Sequence, residues 1–192
     1  MTVSGKHPCC HVFAGPNGAG KSIFALEYLP TVAKCSEFVN ADMIAAGLAP
    51  LHPASAALRA GRLVLERIHE LGKARKDFGF ETTLSGQSYL PLLRNLASGG
   101  FRIVLYYLWL PSSSFAARRV KGRVLMGGHN IPRKDIMRRY KRSLENLPQY
   151  CRMADEFYLF DASTTPVRLI LSRTDADETV HDPAALKHIH LT

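Results

Sequence analysis

Short apolar runs alternate along this chain with stretches whose apolar residues recur every three or four positions. The apolar runs predict five β-strands, over 9–14, 37–40, 77–82, 101–110 and 156–161. The helical patterns predict helices over 20–28, 54–73 and 89–98, followed by a long basic helical stretch that is interrupted near 127–132. Such alternation is typical of a parallel sheet covered by helices. We therefore expect a three-layer α/β fold, with a mostly parallel five-stranded sheet and helices on both faces.

The chain has the length and apolar content of one compact domain, with 192 residues of which 46% are hydrophobic. We assign that domain to 1–174 and expect 175–192 to form a C-terminal tail or a small terminal helix, because its pattern is weak. No apolar run is long enough to span a membrane, and the polar N-terminus is unlike a secretory signal. We therefore expect a cytoplasmic protein without a membrane partner.

A glycine-rich loop follows the first predicted strand and leads directly into a helical pattern. Its sequence, GPNGAGKS, matches the phosphate-binding motif G-x-x-x-x-G-K-[ST] in full. The residues predicted to bind a nucleotide are Gly15, Pro16, Asn17, Gly18, Ala19, Gly20, Lys21 and Ser22. In this motif the backbone N–H groups surround the β-phosphate, the lysine bridges the β- and γ-phosphates, and the serine hydroxyl ligates Mg²⁺. The fold expected is therefore that of a P-loop NTPase, with ATP and Mg²⁺ as cofactors.

Two acids close predicted strands on the phosphate side, Asp42 in FVNAD and Glu81 in FGFETTLS. Because the carboxyl ends of the strands form the ligand crevice of an open α/β sheet, both acids are expected beside the phosphate loop. A carboxylate there can accept the proton of an attacking hydroxyl, as a kinase requires. The N-K-x-D base reader of GTPases does not occur, and the long apolar strand runs into Pro111 rather than the acid of a motor ATPase. As alternatives, Asp42 caps the following helix, or Glu81 bonds only to its neighbouring threonines.

The net charge of +9 is confined to one segment. Residues 115–142 contain ten Lys or Arg and one acid, so this segment alone accounts for the excess. Arg119 and Arg123 share one helical face, as do Arg138 and Arg142, and two glycines lie between the pairs. We expect an arginine-rich helical lid over 115–142 that closes on a transferring phosphate. A solvated basic face and a grip on RNA are the alternatives.

These motifs together resemble the zeta-toxin-like P-loop kinases, whose better-known members phosphorylate UDP-N-acetylglucosamine. The resemblance covers residues 11–163 and rests on ordered motifs: GPNGAGKS, FVNAD, FETTLSG, VLYYLWL, RVKGRVLMGGHNIP, RRYKRSLENL and ADEFYLFDAS. It implies that Asp42 is the base that activates the acceptor hydroxyl and that Lys21 handles phosphate. It also implies that Asn40, Glu81 and Thr83 face the acceptor or the water shell of the metal.

The same resemblance implies two lid arginines that stabilise the transferred phosphoryl group. Arg123 is the first match, with Arg119 close behind. The toxins have their second arginine just before the proline of the lid turn, where this chain has His129 and Asn130. Arg138 is assigned here to the substrate, with Arg139 as the other possibility.

The expected function is therefore ATP-dependent phosphoryl transfer to a hydroxyl of a small acceptor. By resemblance the acceptor is a nucleotide-activated sugar such as UDP-N-acetylglucosamine, and nucleic acid is not an expected partner. An antitoxin partner is implied by the family alone. The alternative is a nucleotide-dependent RNA-binding or regulatory protein with little transferase activity.

Overall fold

A computed structural model describes residues 7–128 and 130–189 of the chain. Its centre is a seven-stranded sheet with the strand order β2-β3-β1-β4-β5-β6-β7. The strands are β1 (Cys9–Ala14), β2 (Phe38–Val39), β3 (Phe78–Thr82), β4 (Arg102–Trp109), β5 (Glu156–Asp161), β6 (Arg168–Arg173) and β7 (Glu178–Val180). The first five strands along the chain pair in parallel, whereas β6 and β7 are antiparallel to their neighbours.

The expected α/β architecture is confirmed, but the prediction of a five-stranded sheet is wrong. All five predicted strands form, and β6 and β7 extend the sheet beyond β5. Only Ile170 and Leu171 of β6 are buried, and the three residues of β7 are exposed. Strand β7 lacks an apolar run, and β6 has only the three-residue run over 169–171, shorter than the runs of β1 and β4.

Seven helices accompany the strands in the described part of the chain. They are α1 (Lys21–Tyr28), α2 (Ala41–Leu48), α3 (Ala57–Lys73), α4 (Tyr89–Ser98), α5 (Ser113–Leu125), α6 (Arg133–Met153) and α7 (Pro183–Leu186). A π-helical turn (Leu29–Ala33) continues α1, and a 3-10 turn (Pro53–Ala56) precedes α3. Strand β7 and helix α7 thus lie in the segment expected to be a tail. No helix of the described ranges is both long enough and apolar enough to cross a bilayer.

The helices cover both faces of the sheet, as expected. Residues of α1 and α5 pack with Phe13, Tyr106 and Leu108 in one hydrophobic cluster. Residues of α3, α4 and the C-terminal half of α6 pack with Val12 and Tyr107 in the other. The alternation follows from strand geometry, since successive side chains of β1 and β4 point to opposite faces.

Helix α6 contacts the loop that follows β3 through two side chains. Asn146 Nδ2 donates to the carbonyl of Leu84 at 2.7 Å, and Tyr150 Oη donates to the carbonyl of Gly86 at 2.8 Å. Leu84 is fully buried and has a positive φ of 52°, a strained conformation for a leucine. These contacts hold the loop over 83–88 in one position, and that loop borders the candidate site.

Candidate functional site

The phosphate loop lies between β1 and α1, and three of its glycines have left-handed backbone conformations. The φ angles are 136° at Gly15, 82° at Gly18 and 87° at Gly20. A Cβ at Gly15 would lie 2.4 Å from the carbonyl oxygen of Leu108, so only glycine fits between the loop and β4. The loop therefore has the backbone shape that the motif predicts, with the N-terminus of α1 directly behind it.

A polar network joins the phosphate loop to the end of β3. Pairing of β1 with β3 places Glu81 opposite Phe13, two residues before the loop begins. Ser22 Oγ donates to Glu81 Oε2 at 2.5 Å, and Lys21 Nζ lies 3.5 Å from Glu81 Oε1. Lys21 is only 5% exposed and also donates to the carbonyl of Pro16 at 3.0 Å. The alternative that Glu81 bonds only to its threonine neighbours is therefore wrong.

Asn40 belongs to the same network and, rather than Asp42, caps helix α2. Asn40 Nδ2 donates to Glu81 Oε2 at 2.8 Å, and its Oδ1 accepts from the backbone N–H of Met43 at 3.0 Å. Asn40 is thus the N-cap of α2, and the alternative that Asp42 caps this helix is wrong. Asp42 lies in the first turn, exposed, and makes no hydrogen bond or ion pair with the described residues.

A polar cleft of about 460 Å³ opens beside the phosphate loop, and we call it the carboxylate cleft. Its lining includes three acids and one arginine, together with amide, hydroxyl and aromatic side chains. The residues discussed below are Asn17, Asn40, Asp42, Glu81, Thr82, Thr83, Ser85, Ser88, Tyr89, Asn130, Asp135 and Arg139. The cleft thus brings the predicted Asn40, Asp42, Glu81 and Thr83 together with the phosphate loop. Thr83 also shares a hydrogen bond of 2.9 Å with Ser85.

A second cavity of about 490 Å³, here called the apolar cavity, lies between α1, α5 and the loop after β5. It reaches the phosphate loop at Ala19 and Gly20. Its other lining residues include Ile23, Phe24, Tyr28, Arg119 and Thr164–Val167. Arg119 donates a hydrogen bond to the carbonyl of Ala162 and has its Cβ near Gly18. The cavity combines apolar walls, aromatic rings and a guanidinium group, a composition suited to a flat heteroaromatic ligand.

The loop after β5 is fixed by Asp161. Its carboxylate accepts from the backbone N–H of Ser163 and from Arg168, each at 2.8 Å. Burial of Asp161 disfavours its charged form, but the hydrogen bonds from Ser163 and Arg168 outweigh burial and lower its pKa. The carboxylate thus holds the loop that closes one side of the apolar cavity.

The lid arginines are distributed differently from the prediction. Arg123 is exposed at the end of α5, where its carbonyl accepts from the N–H of Gly128 at 3.0 Å, and it lines neither cavity. Arg138 is exposed, pairs with Asp135 at 2.9 Å and also lies outside the carboxylate cleft. Arg139 is half-buried and lines that cleft instead. His129 lies outside the described residues. A phosphoryl contact of Arg123 or Arg138 therefore stays a prediction.

Two cavity-lining residues and one loop were not predicted from the sequence: Tyr89, Asp135 and Thr164–Val167. The loop could have been predicted from the sequence, because it follows the carboxyl end of β5 and the carboxyl ends of strands border the ligand crevice of an α/β sheet. No comparable signal existed for Asp135 and Tyr89, which reach the cleft through the packing of α6 and α4.

The donor set near Ser22 fits a magnesium ion. A hydroxyl and a carboxylate oxygen meet there at 2.5 Å, and Mg²⁺ prefers such oxygen ligands. No group of three or more His, Cys, Asp or Glu residues that could hold a metal occurs among the residues described. Mg²⁺ in nucleotide sites is usually coordinated by one or two protein oxygens together with substrate phosphates and water, so Ser22 and Glu81 would be sufficient protein ligands.

No family model matches the chain. An uncharacterized protein of Haemophilus influenzae (strain ATCC 51907 / DSM 11121 / KW20 / Rd) is 30% identical over 128 residues, which cover 67% of this chain and 89% of the relative. The chain belongs to the family of this protein. Membership shows common descent over most of the domain, and the activity has to be argued from the site.

Solved structures share the fold. A chain of the crystal structure of AvrRxo1-ORF1:-ORF2 with ATP aligns at a TM-score of 0.77 and 16% identity, over 96% of this chain and 64% of that one. A chain from the PezAT toxin-antitoxin system of Streptococcus pneumoniae aligns at 0.70 and 11% identity, over 99% and 81%. A chain of the Pnkp1/Rnl/Hen1 RNA repair complex aligns at 0.61 and 19% identity, over 76% and 47%. The protein thus has the α/β fold of these P-loop proteins and spans 64% of the first chain's length.

Proposed function

We propose that this protein is an ATP-dependent kinase that transfers the γ-phosphoryl group to a hydroxyl of a small acceptor. The observation that carries the proposal is the carboxylate cleft, in which unpaired Asp42 shares one space with the phosphate loop and with Glu81. A site for hydrolysis alone needs only water beside the γ-phosphate. A cleft of about 460 Å³ that contains a candidate base has room for an acceptor.

The nucleotide is proposed to span the two cavities. The base occupies the apolar cavity beside Tyr28 and Arg119, and the phosphates lie along the loop to Lys21. The presence of ATP in the AvrRxo1-ORF1:-ORF2 crystal structure supports this choice of donor through the shared fold. The γ-phosphate then faces the carboxylate cleft, because Asn17 of the loop lines that cleft.

The transfer step uses residues of the carboxylate cleft. The acceptor hydroxyl lies in line with the γ-phosphate, its oxygen forms the new O–P bond, and the bond to the β-phosphate oxygen breaks to give ADP. The Asp42 carboxylate takes the hydroxyl proton. Lys21 and Arg139 oppose the negative charge that spreads over the transferred group. The remaining hydroxyl and amide groups of the cleft orient the acceptor.

Ser22 and Glu81 are the residues that would hold Mg²⁺, directly or through its water shell. The metal supplies neutralisation of charge on the β- and γ-phosphates when it is bound. Glu81 has a second task in the chain itself, since it receives hydrogen bonds from both Ser22 and Asn40 and so fixes the end of β3 to the phosphate loop.

Label transfer from γ-labelled ATP tests the proposal. The protein is incubated with Mg²⁺, labelled ATP and a panel of hydroxyl acceptors, and we expect label in one of the acceptors and none after chelation with EDTA. Release of labelled phosphate at one rate with or without every acceptor would argue against a kinase. RNA binding that weakens steeply with salt, without transfer, would favour the alternative in which the basic segment grips RNA.

Arg119 tests the placement of the base. We expect Arg119→Ala to raise the KM for ATP roughly tenfold, about 1.4 kcal/mol, because a guanidinium group stacked on an aromatic ring contributes this much. Arg118→Ala is the matched control, since Arg118 is exposed, stacks on Phe115 and does not line the apolar cavity. A fall in kcat at unchanged KM would instead place Arg119 at the transferred phosphoryl group, as the sequence analysis predicted.

An antitoxin partner remains a proposal. The PezAT structure comes from a toxin-antitoxin system, and this chain shares its fold at 11% identity. Similarity at that level supports a shared fold only. Toxicity, and inhibition of the protein by an antitoxin, follow only from the family resemblance.

A further inference from the structure

The charges that line the carboxylate cleft limit what the acceptor can be. Asp42, Glu81 and Asp135 contribute carboxylates, and Arg139 contributes the one guanidinium or ammonium group among the described lining residues. Lys21 and Arg138 pair with Glu81 and Asp135 from outside the lining set. Arg139 is the cation available to the transferred phosphoryl group. No second basic side chain of the described lining remains for another anionic group.

Two helix N-termini at this cleft do not replace the missing cations. The N-terminus of α2 is capped by Asn40 and followed by Asp42, and α6 has Asp135 in its first turn. The partial positive charge of these two helix ends is therefore already opposed by an acid.

The rest of the lining suits a ligand with many hydroxyl groups. Uncharged hydrogen-bonding side chains surround the acids: Asn17, Asn40, Thr82, Thr83, Ser85, Ser88 and Asn130. Tyr89 adds a half-buried ring, packed 5.1 Å from the ring of Phe80. Carboxylates and side-chain carbonyls accept hydrogen bonds from hydroxyls, and an aromatic ring covers the C–H face of a sugar. The cleft thus contains many hydrogen-bond acceptors and only one cationic side chain, Arg139, among its described lining residues.

We infer that the acceptor is a free polyhydroxylated molecule, such as a sugar or amino sugar, and carries no diphosphate. This inference rests on the proposed kinase function and departs from the nucleotide sugar that the family resemblance implies. A diphosphate in this cleft would lie beside the carboxylate of Asp42, while Lys21 and Arg138 already pair with acids and Arg139 is needed by the transferred phosphoryl group, so its charge would be poorly compensated. A neutral or amino-bearing polyol meets the same carboxylates favourably.

Matched acceptor pairs test the inference on the protein with Mg²⁺ and labelled ATP. The pairs are N-acetylglucosamine with UDP-N-acetylglucosamine, and glucose with UDP-glucose, with glucosamine and inositol added. We expect a free sugar or polyol to be phosphorylated with a kcat/KM at least tenfold above that of any UDP-sugar. A UDP-sugar that is used equally well or better overturns the inference while leaving the kinase proposal intact.

A measurement of ATP binding distinguishes failure of the acceptor inference from failure of the proposed kinase function. If the protein binds ATP but phosphorylates no free sugar or polyol of the panel, the acceptor inference is wrong and the nucleotide site stands. If it does not bind ATP, the proposed function fails and the inference fails with it. ATP binding is measured separately by calorimetry.

A charge variant tests the physical argument directly. Asp135→Asn removes one carboxylate from the cleft and releases Arg138 from its ion pair, so we expect the preference for a free sugar over its UDP form to shrink several-fold. Glu145→Gln is the matched control, because Glu145 is an exposed acid of the same helix, pairs with Lys141 and does not line the cleft. A preference ratio that Asp135→Asn leaves unchanged contradicts the electrostatic explanation.

Discussion

Replacing Asp42 with asparagine is expected to lower kcat by about 10²–10⁴-fold, the usual contribution of a positioned general base. The amide keeps the size of the side chain but cannot accept the hydroxyl proton. The KM for ATP should change by a few fold at most, since Asp42 makes no hydrogen bond or ion pair with the described residues of the phosphate loop. Steady-state kinetics with the acceptor found by label transfer measure both quantities.

The structure of the Asp42→Asn variant should be intact. Asn40, rather than Asp42, caps α2, and Asp42 is exposed, so thermal unfolding should change little. Asp42→Glu serves as the conservative variant, and we expect it to recover part of the activity. A wild-type kcat in Asp42→Asn, or a large loss of ATP binding, would contradict the assignment of Asp42 as the base.

Replacing Lys21 with methionine is expected to lower kcat/KM by at least 10²–10³-fold. Its ammonium group is the buried cation of the phosphate loop, and preorganised charge of this kind typically has an effect of that size on a developing negative charge. Methionine retains the apolar stem, which limits the loss of packing. Label transfer and ATP calorimetry together show how the loss divides between binding and chemistry.

The ion pair between Lys21 and Glu81 requires a second control. Lys21→Met leaves the Glu81 carboxylate without its cation, although Ser22 and Asn40 still donate to it. The double variant Lys21→Met, Glu81→Gln should therefore unfold at a higher temperature than the single variant and remain inactive. Activity restored by the double variant would mean that charge balance within the network, rather than contact with phosphate, explains the effect of Lys21.

Local pattern was sufficient for much of the fold. The central strands β1 and β4 are buried on both faces, so they appear in the sequence as apolar runs, and β1, β5 and α4 begin and end at the predicted residues. Strand β6 has the short apolar run over 169–171, which was not assigned from the sequence, whereas the three residues of β7 are exposed and have no apolar pattern. Strand β6 pairs with β5 and β7 pairs with β6, and no local pattern encodes these pairings.

Some residues of the candidate site could be predicted from the sequence, whereas others depend on tertiary packing. Asp42 and Glu81 could be placed from the sequence because the carboxyl ends of parallel strands meet at one crevice. From the sequence, only Asp42 was considered as the cap of α2; Asn40 caps it instead, and the same side chain also bonds Glu81. Which lid arginine enters the cleft depends on the rotation of α6, which the burial of Ile136 against the sheet helps to fix.

Helix α6 contacts the carboxylate cleft in two places. Arg139 lines the cleft, and Asn146, about two turns further on, bonds the loop over 83–88, which contributes to the same lining. A tilt of α6 that moves the guanidinium group would therefore also displace this loop. For a kinase of the kind proposed, we expect saturation with one substrate to alter the apparent Michaelis constant of the other.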